Sequence, residues 1–385
     1  MGHIVGTGMI RKTWCGLLLV LLLAGPLPAL AHEIRPAVAT LSFTPGVAEL
    51  DIRFNLEALL AGVDPAHRDT DDAPQAQTYN QLRALPPETL ARQWRDFEPR
   101  YLEGLVLLAD ETRLTARVAA LDIPPVGDTR VSRLSRLRLQ APLPPDSGAL
   151  RLRHDPAFGN IVVRFPTTDG GLNAIWLKDG EPSPALALGS AAPPASRAAV
   201  AGQYTLLGFT HILPHGLDHI LFVLGLFLLS AHWRPLLIQV TAFTVAHTLT
   251  LALSIYGVVS LPSSIVEPLI AASIVYVAVE NIVTTRLHAW RPFIVFGFGL
   301  LHGLGFAGVL KELGLPPSEA LLALISFNVG VELGQLAVIT LAYLAVGHWF
   351  RECPWYHRGV VAPLSALIAL TGAWWTLERL LPVTG

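Results

Sequence analysis

Charge is scarce in this sequence of 385 residues, and most of it lies in the first half of the chain. Charged residues make up 15% of the sequence, whereas hydrophobic residues make up 52%. Only seven of the 27 Lys and Arg residues and eight of the 29 Asp and Glu residues lie beyond position 200. So few charges over half a chain are typical of segments that cross a membrane. The sequence therefore predicts a soluble segment joined to a membrane segment.

Cysteines are few, and basic runs and nucleotide-binding motifs are missing. Of the two cysteines, Cys15 falls in a segment that we expect to be removed and Cys353 remains, which excludes an intramolecular disulfide in the mature chain. A net charge of −2 without a basic run gives no indication of nucleic-acid binding. The phosphate-binding motif G-x-x-x-x-G-K-[ST] does not occur, so we expect no ATP.

The N-terminus has the parts of a secretory signal peptide. A positively charged start precedes a short apolar run at 17–24 and a small-residue cleavage signal at 29–31. The apolar run is too short to span a membrane comfortably, so we expect residues 1–31 to be removed rather than retained as a helix. His32 would then carry a free amine beside its imidazole, a pair that can chelate copper or nickel. We prefer the alternative, a terminus that binds nothing.

Residues 32–190 are predicted to form one soluble, mainly-β domain. Apolar and polar residues alternate in several short runs, as in half-buried strands. At 86–105 the apolar residues recur instead at helical spacing. A β-sandwich with one inserted helix fits this pattern best, with His67 and His154 expected at its surface. The expected strands are 37–43, 48–54, 105–109, 112–121, 130–141, 149–154, 161–165 and 174–177.

A linker at 191–203, rich in small residues, leads into strongly apolar sequence. Each of the runs that follow is long enough for a hydrocarbon core of roughly 30 Å. The first run contains Pro214 and Gly216, so we expect a kink or a break there. The predicted fold is an α-helical membrane bundle of about six transmembrane helices at 204–385, preceded by the soluble sandwich-like domain. The apolar runs are about 204–229, 234–257, 263–285, 292–311, 318–346 and 359–381.

The charges in the loops predict the orientation. An exported N-terminal domain requires the first span to run inward, and the loops on the inner side then hold five arginines. The outer side holds only Lys311 and Arg379. Because this bias follows the positive-inside rule, we expect a bacterial inner-membrane protein with a periplasmic N-terminal domain and an outward C-terminus. The inner arginines are Arg234, Arg286, Arg291, Arg351 and Arg358.

Short motifs recur in the two halves of the membrane segment. Three spans per half would give inverted halves, a plan that many transporters share. Matches this short and apolar are explained equally well by chance. The matches are Gly208-Phe209 with Gly297-Phe298, His215-Gly216-Leu217 with His302-Gly303-Leu304, and Phe243-Thr244-Val245 with Phe327-Asn328-Val329.

Ionisable residues inside the first apolar run are the strongest functional signal. A charge at the centre of a bilayer costs about 2.5–3.5 kcal/mol on insertion scales and usually marks a site or pathway. His215 and His219 are four residues apart, a helical spacing that lets two imidazoles hold one ion. His211 and Asp218 lie beside them, and Asp218 could be a ligand or could fix a ring N–H. We favour a transition-metal site over structural polar packing.

Histidines on two other runs are weaker candidates. His247 lies beside Thr244, and His302 lies among glycines that permit close helix packing. Each histidine could be a metal ligand, or it could make a hydrogen bond between helices. The residues themselves do not favour one reading over the other.

Polar residues also form a stripe on the fifth run. Asn328, Glu332 and Gln335 are spaced so that they share one helix face. We interpret this stripe as a hydrophilic path with an ionisable carboxylate, the alternative being a packing stripe. Glu280 on the third run could belong to such a path, or it could simply pair with Arg286.

These segments resemble the HupE/UreJ family, in particular its long branch with an exported N-terminal domain that begins His-Glu-x-Arg-Pro. The resemblance covers nearly all of the mature chain. Shorter members have slightly different spacing before Asp-His, and His215 is an addition here. The matching segments are His32-Glu33-Ile34-Arg35-Pro36, Gly208-Phe209, His211-Ile212-Leu213-Pro214, Gly216-Leu217-Asp218-His219-Ile220-Leu221-Phe222, Thr241-Ala242-Phe243-Thr244-Val245-Ala246-His247, Phe296-Gly297-Phe298-Gly299-Leu300-Leu301-His302-Gly303 and Phe327-Asn328-Val329-Gly330-Val331-Glu332.

The resemblance implies a nickel or cobalt permease, or an accessory to hydrogenase or urease. The ion would be a divalent transition metal, nickel first, with cobalt, copper or zinc as alternatives. Lipid and membrane or periplasmic proteins are the expected partners. We predict no catalytic residues, but two other functions stay open: an intramembrane zinc hydrolase and a non-catalytic assembly factor or sensor. The positions that match the family's polar residues are His211, Asp218, His219, His247 and His302.

Overall fold

The computed structural model of the chain describes residues 36–380 with short gaps. The predicted signal peptide and the candidate site at His32 lie outside the described residues, as do His67 and the side chain of Lys311. The gaps are 66–69, 71–72, 128, 130–131, 168–171, 189–195, 231 and 314–318, and the side chains of 307–309 and 311–313 are also not described.

The N-terminal domain consists of two β-sheets that share one hydrophobic core. Its strands are β1 (Ala37–Thr44), β2 (Val47–Phe54), β3 (Leu105–Ala109), β4 (Thr112–Arg113), β5 (Arg117–Asp122), β6 (Ser135–Pro142), β7 (Ala149–His154), β8 (Ile161–Pro166), β9 (Leu172–Leu177) and β10 (Leu186–Ala187). One sheet has the order β5-β6-β2-β1-β8-β9 and the other β10-β7-β3-β4. Leu41 and Ile52 of the first sheet are buried in the same core as Leu107 and Leu152 of the second. The predicted mainly-β, sandwich-like fold is confirmed.

The strands depart from their predicted bounds where the chain changes sheets. The predicted strand 112–121 is two strands, because β4 pairs with β3 in one sheet and β5 pairs with β6 in the other. The predicted strand 130–141 begins only at Ser135. The two-residue strand β10, which pairs with β7, is too short to give an alternating pattern in the sequence.

Three helices accompany the sheets: α1 (Leu56–Ala61), α2 (Ala76–Arg83) and α3 (Pro87–Gly104). Only α3 was predicted. Its Leu90, Trp94 and Tyr101 recur on one buried face. The two short helices give too few turns for a period to be visible, although Asn55 caps α1 by accepting from the Ala58 N–H.

His154 is buried, so its predicted surface position is wrong. It is the last residue of β7 and points inward like Leu152, with 2% of its surface exposed. Its Nδ1 donates to the Gly159 carbonyl at 2.9 Å, while Nε2 has no partner among the described residues. Its ring centroid lies 5.9 Å from that of Tyr101 and 5.7 Å from that of Phe158. The alternation of apolar and polar residues along β7 would have predicted that His154 points inward.

The burial of His154 predicts that the N-terminal domain loses stability in mild acid. Burial lowers the pKa of His154 from its ordinary 6.5, so the folded domain holds the ring neutral while the unfolded chain takes up a proton. Stability is therefore complete above the unfolded pKa and is lost as pH falls from there toward the folded pKa. Thermal unfolding of the full chain at about pH 7.5 and about pH 5.5 should show a smaller loss for His154→Gln than for wild type. Equal losses would contradict this.

Among the described residues, seven helices of 13 residues or more form the membrane part, and two of them make one broken span. They are α4 (Arg197–Ile212), α5 (Leu217–Leu229), α6 (Trp233–Ile255), α7 (Ser263–Val283), α8 (Arg291–Leu313), α9 (Ala320–Ala342) and α10 (Ala362–Leu380). The π-helical turns Tyr343–Gly347 and His357–Val361 and the short helix His348–Phe350 lie between the last two. Within the described residues, four helices are long and apolar enough to cross a membrane, and α4 with α5 gives a fifth. The apolar stretch Arg291–Phe306 of α8 is shorter. The predicted count of about six is thus approximate.

The break in the first span lies where Pro214 and Gly216 predicted it. The chain bends by 72° between α4 and α5. Pro214 cannot donate a helical hydrogen bond, and a Cβ on Gly216 would overlap the His211 carbonyl oxygen. At its other end α4 begins at Arg197, capped by Ser196, so residues 197–203 of the predicted linker are helical.

The N-terminal domain rests on the first membrane helix. Val38, Val162 and Trp176 on the outer face of the six-stranded sheet form a small apolar cluster with Leu207 of α4. Because α4 carries His211 in its last turn, one face of the soluble domain packs on the helix that carries this residue. The domain and the membrane part are therefore in direct contact.

Glycines bring pairs of membrane helices into very close contact. A Cβ on Gly208 of α4 would overlap the Phe327 carbonyl oxygen of α9, and one on Gly330 would overlap the Thr205 carbonyl oxygen. On the other side of the bundle, Gly299 of α8 is equally close to the backbone of α6. Such small-residue contacts allow helix backbones to approach within a membrane.

The helix pairs have the arrangement of a three-plus-three repeat. The first span packs on the fifth, the fourth on the second and the third on the sixth. If spans one to three are exchanged in order with spans four to six, the same three pairs result. Gly208 lies against the Phe327 carbonyl as Gly299 lies against that of Phe243. Each of these glycines precedes a histidine by three residues. The packing therefore matches His211 with His302, whereas the sequence comparison had matched His215.

Substitution of Gly330 should loosen the bundle. Gly330→Ala places a methyl group on the Thr205 carbonyl and should lower the stability of the purified protein by about 1–3 kcal/mol, measured by thermal unfolding in detergent. Gly297→Ala is the matched control, because a Cβ there meets nothing within 4 Å. An unchanged melting temperature for Gly330→Ala would show that this contact is not tight.

Candidate metal centre

Four histidines from four helices lie together halfway along the bundle. His211 and His219 flank the break in the first span, His302 is at the midpoint of α8, and His247 is near the middle of α6. The ring centroid of His219 is 4.8 Å from those of His211 and His302 and 6.0 Å from that of His247. His211 is partly buried, and the other three rings are at most 3% exposed. The structure thus brings four candidates from distant parts of the sequence together.

Asp218 fixes the orientation of the His219 ring. Its Oδ1 accepts from the backbone N–H of His219 at 2.8 Å and lies 3.0 Å from Nδ1 of the ring. A carboxylate can only accept, so Nδ1 carries the proton and Nε2 presents a lone pair. The Asp218 side chain is 25% exposed, whereas the His219 side chain is 3% exposed. Asp218 therefore lies at the rim of the cluster and His219 at its centre.

Asn328 fixes the orientation of the His247 ring. Its Nδ2 donates to the Leu324 carbonyl at 2.9 Å, so its Oδ1 is the atom that faces Nδ1 of His247 at 3.0 Å. Nδ1 of His247 is then the donor, and Nε2 carries the lone pair. That Nε2 is buried and has no hydrogen-bond partner among the described residues.

Ser273 orients His302, and sequence reasoning missed it. The Ser273 hydroxyl donates to the Ile270 carbonyl at 2.6 Å, so its oxygen accepts from Nε2 of His302 at 3.2 Å. Nδ1 of His302 then presents its lone pair to Nε2 of His219, 3.4 Å away. A lone serine in an apolar helix carries no functional signal in the sequence. Its only clue was its position at the centre of the third span.

Two imidazole lone pairs, those of His219 and His302, therefore face each other with no proton between them. The facing nitrogens of His219 and His302 repel unless a cation lies between them, and the partnerless Nε2 atoms of His211 and His247 lie in the same cluster. Two ligands of one tetrahedral ion are separated by about 3.3 Å when each metal–nitrogen bond is about 2.05 Å. The 3.4 Å separation matches this value, so the residues fit a divalent transition-metal ion.

The structure does not bring His215 into the cluster. His215 is exposed, and its Nδ1 lies 3.0 Å from the Thr210 carbonyl oxygen. The predicted pairing of His215 with His219 assumed a continuous helix, but the chain is not helical between α4 and α5. The four-residue spacing therefore does not place the two rings on one face.

The polar stripe of α9 faces α6 and continues from the cluster. His247 of α6 bonds to Asn328 of α9. One turn earlier on α6, the Thr244 hydroxyl donates to Oε1 of Gln335 at 3.2 Å. Thr241 donates to Oε1 of Glu332 at 2.7 Å. Gln335 is buried, whereas Glu332 is partly exposed. The stripe thus joins the histidine cluster to a carboxylate at the surface of the bundle.

Glu280 lies apart from this stripe and does not pair with Arg286. It is buried against Arg291, with Oε2 3.2 Å from Nε, and the two side chains are 9% and 1% exposed. Nη2 of Arg291 also donates to Oδ1 of Asn281 at 3.3 Å. The predicted partner is wrong because Arg291 begins α8 and turns inward, whereas Arg286 is exposed in the preceding loop. Glu280 thus belongs to a structural ion pair.

Breaking this ion pair should destabilise the protein strongly. Arg291→Leu leaves the Glu280 carboxylate buried without its counter-charge, which should cost about 3–5 kcal/mol, measured by thermal unfolding in detergent. Arg286→Leu removes the same charge from an exposed position and should have little effect. The double variant Arg291→Leu/Glu280→Leu should recover much of the loss, and a double variant as unstable as the single one would contradict the pairing.

A known protein family matches the membrane part of the chain. The HupE / UreJ protein family matches residues 190–379, which include the break, the four histidines and the polar stripe. No curated protein matches the chain. Membership of this family is consistent with a membrane protein that handles nickel or cobalt. Residues 190–379 of the chain therefore form a HupE/UreJ domain, which is preceded by an additional mainly-β domain.

Proposed function

We propose that this protein carries a divalent transition-metal ion of the nickel or cobalt type across the membrane, with the histidine cluster as its ion site. The observation that carries the proposal is the set of three outer hydrogen bonds that turn imidazole lone pairs toward the interior of the histidine cluster. They come from Asp218, Asn328 and Ser273. Such second partners orient metal-ligating histidines and raise their basicity. A cluster that served only helix packing would gain nothing from facing acceptors.

The donor set selects the class of ion. Neutral imidazoles suit nickel, cobalt, copper and zinc, whereas magnesium and calcium prefer oxygen ligands. Cys353 is the only cysteine after residue 200, and it lies beyond α9, away from the cluster. Asp218 supplies the one carboxylate of the centre, which offsets part of the charge of a divalent ion. Nickel is our first choice on the family relationship, since these ligands also accept copper and zinc.

Two polar routes lead away from the centre. At the broken span, Asp218 is 25% exposed and His215 is exposed, so an ion can reach the centre from that side. Between α6 and α9, the stripe leads past Gln335 to the partly exposed Glu332. An ion crossing a hydrocarbon layer needs such continuous polar contacts, because each unpaired charge there costs several kcal/mol.

We place the protein in the bacterial inner membrane with the N-terminal domain on the periplasmic side. The signal sequence and the arginines of the inner loops support this orientation. The chain has no phosphate-binding motif for ATP, so uptake against a gradient would need an ion gradient or a partner protein. We propose no enzymatic activity. A resident zinc ion that does not exchange, together with hydrolysis of a lipid or peptide, would indicate the hydrolase instead.

Metal analysis of the purified full chain tests the proposal. Wild type should bind added nickel. Asp218→Ala should bind it about 10- to 100-fold more weakly, because it removes the orienting partner of His219, and His219→Ala should lose binding, because it removes the central ligand. Nickel uptake by cells that produce the same variants should fall in parallel. His215→Ala is the matched control, since this ring lies outside the cluster, and it should bind nickel like wild type. Equal nickel content in all four proteins would rule out the site.

A further inference from the structure

The ligand atoms of the centre fall into two groups that share His219. Within the described part of the chain, one atom each from His211, His219 and His247 lie within 4.8 Å of one another, as do one each from Asp218, His219 and His302. His211 and His302 do not join in one group. One tetrahedral ion, whose ligands lie about 3.3 Å apart, cannot therefore bind all five side chains as they stand.

The internal repeat relates the outer histidine of one group to the outer histidine of the other. His211 follows Gly208 by three residues, and His302 follows Gly299 by three residues. Both glycines pack on the carbonyl of a phenylalanine from the other half of the bundle. Both histidine rings have centroids 4.8 Å from that of His219. The two outer histidines are thus equivalent by the repeat, and His219 lies in contact with both.

We infer that the centre holds its ion in two alternative positions that share His219, one with His211 and His247 and the other with His302 and Asp218. This inference rests on the proposed function. The positions exclude each other, because Nε2 of His219 has a single lone pair and its Nδ1 donates to Asp218. An ion passes from one position to the other while it keeps its bond to His219. It is therefore never without a ligand in the apolar interior.

The two positions differ in their chemistry. The first has three neutral nitrogens and lies against the polar stripe between α6 and α9. The second has the facing nitrogens of His219 and His302, with the partly exposed Asp218 carboxylate beside them. His219 and His302 already have the 3.4 Å separation that one ion requires. Inverted halves that meet at one site are the usual basis of alternating access in transporters.

Cobalt(II) binding to the full chain in detergent tests the two positions. The visible absorption bands of cobalt depend on its ligands, so the probe reports the position as well as the affinity. His302→Ala should leave only the all-nitrogen position, and His211→Ala should leave only the carboxylate position. Each variant should still bind one cobalt ion, about 10- to 100-fold more weakly than wild type by analogy with other ligand-shell losses. The spectra of the two variants should differ from each other.

Transport provides the second measurement. Both His211→Ala and His302→Ala should lose cobalt uptake in cells although each still binds the ion, because transfer needs both positions. His219→Ala should lose binding and uptake together, and His215→Ala should keep both. Double substitution of His211 and His302 should reduce binding to that of His219→Ala.

Two results would overturn the inference. If His211→Ala and His302→Ala bind cobalt with the same spectrum, or if either alone abolishes binding, the centre is a single site. Such a result leaves the proposed function standing, provided that wild type binds the ion and takes it up. Wild type that neither binds cobalt nor nickel nor takes them up would instead remove the proposed function, and the two positions with it.

Discussion

Imidazole nitrogens without protons, held together in a dry interior, constrain the whole membrane part of this protein. The acceptor nitrogens of His219 and His302 face each other at 3.4 Å, and a cation bound between them would relieve the repulsion of their lone pairs. The outer hydrogen bonds from Asp218, Asn328 and Ser273 maintain this arrangement by using up the ring protons. The rest of the bundle is built so that these bonds can form between helices that are far apart in sequence.

The broken first span and the glycine contacts are the two devices that make this possible. The break turns the chain by 72° and lets His211 and His219 approach the same centre from two directions. The glycines hold α4 against α9 and α8 against α6 at a separation that larger residues would not allow. Packing of this kind replaces the hydrophobic effect, which gives little driving force between helices in lipid. Tight packing and the polar centre therefore depend on each other.

Not every buried charge in the bundle belongs to the histidine cluster. Glu280 and Arg291 neutralise each other at the end of α7 and the start of α8, about 10 Å along α7 from Ser273 at 1.5 Å per residue. The N-terminal domain, in turn, packs an apolar patch of its six-stranded sheet on α4. It is thus in contact with the helix that carries His211, while its own core is separate from the histidine cluster.

The sequence by itself determined the soluble mainly-β domain, the apolar spans, the break at Pro214 and the residue types of the centre. These follow from local patterns: strand alternation, run length, backbone chemistry and the cost of ionisable groups in lipid. The tertiary structure alone decided which of these groups meet. It removed His215 because the helix ends before it, added Ser273 because α7 passes behind His302, and paired Glu280 with Arg291. Contacts between helices depend on how distant segments pack, and no local spacing encodes that.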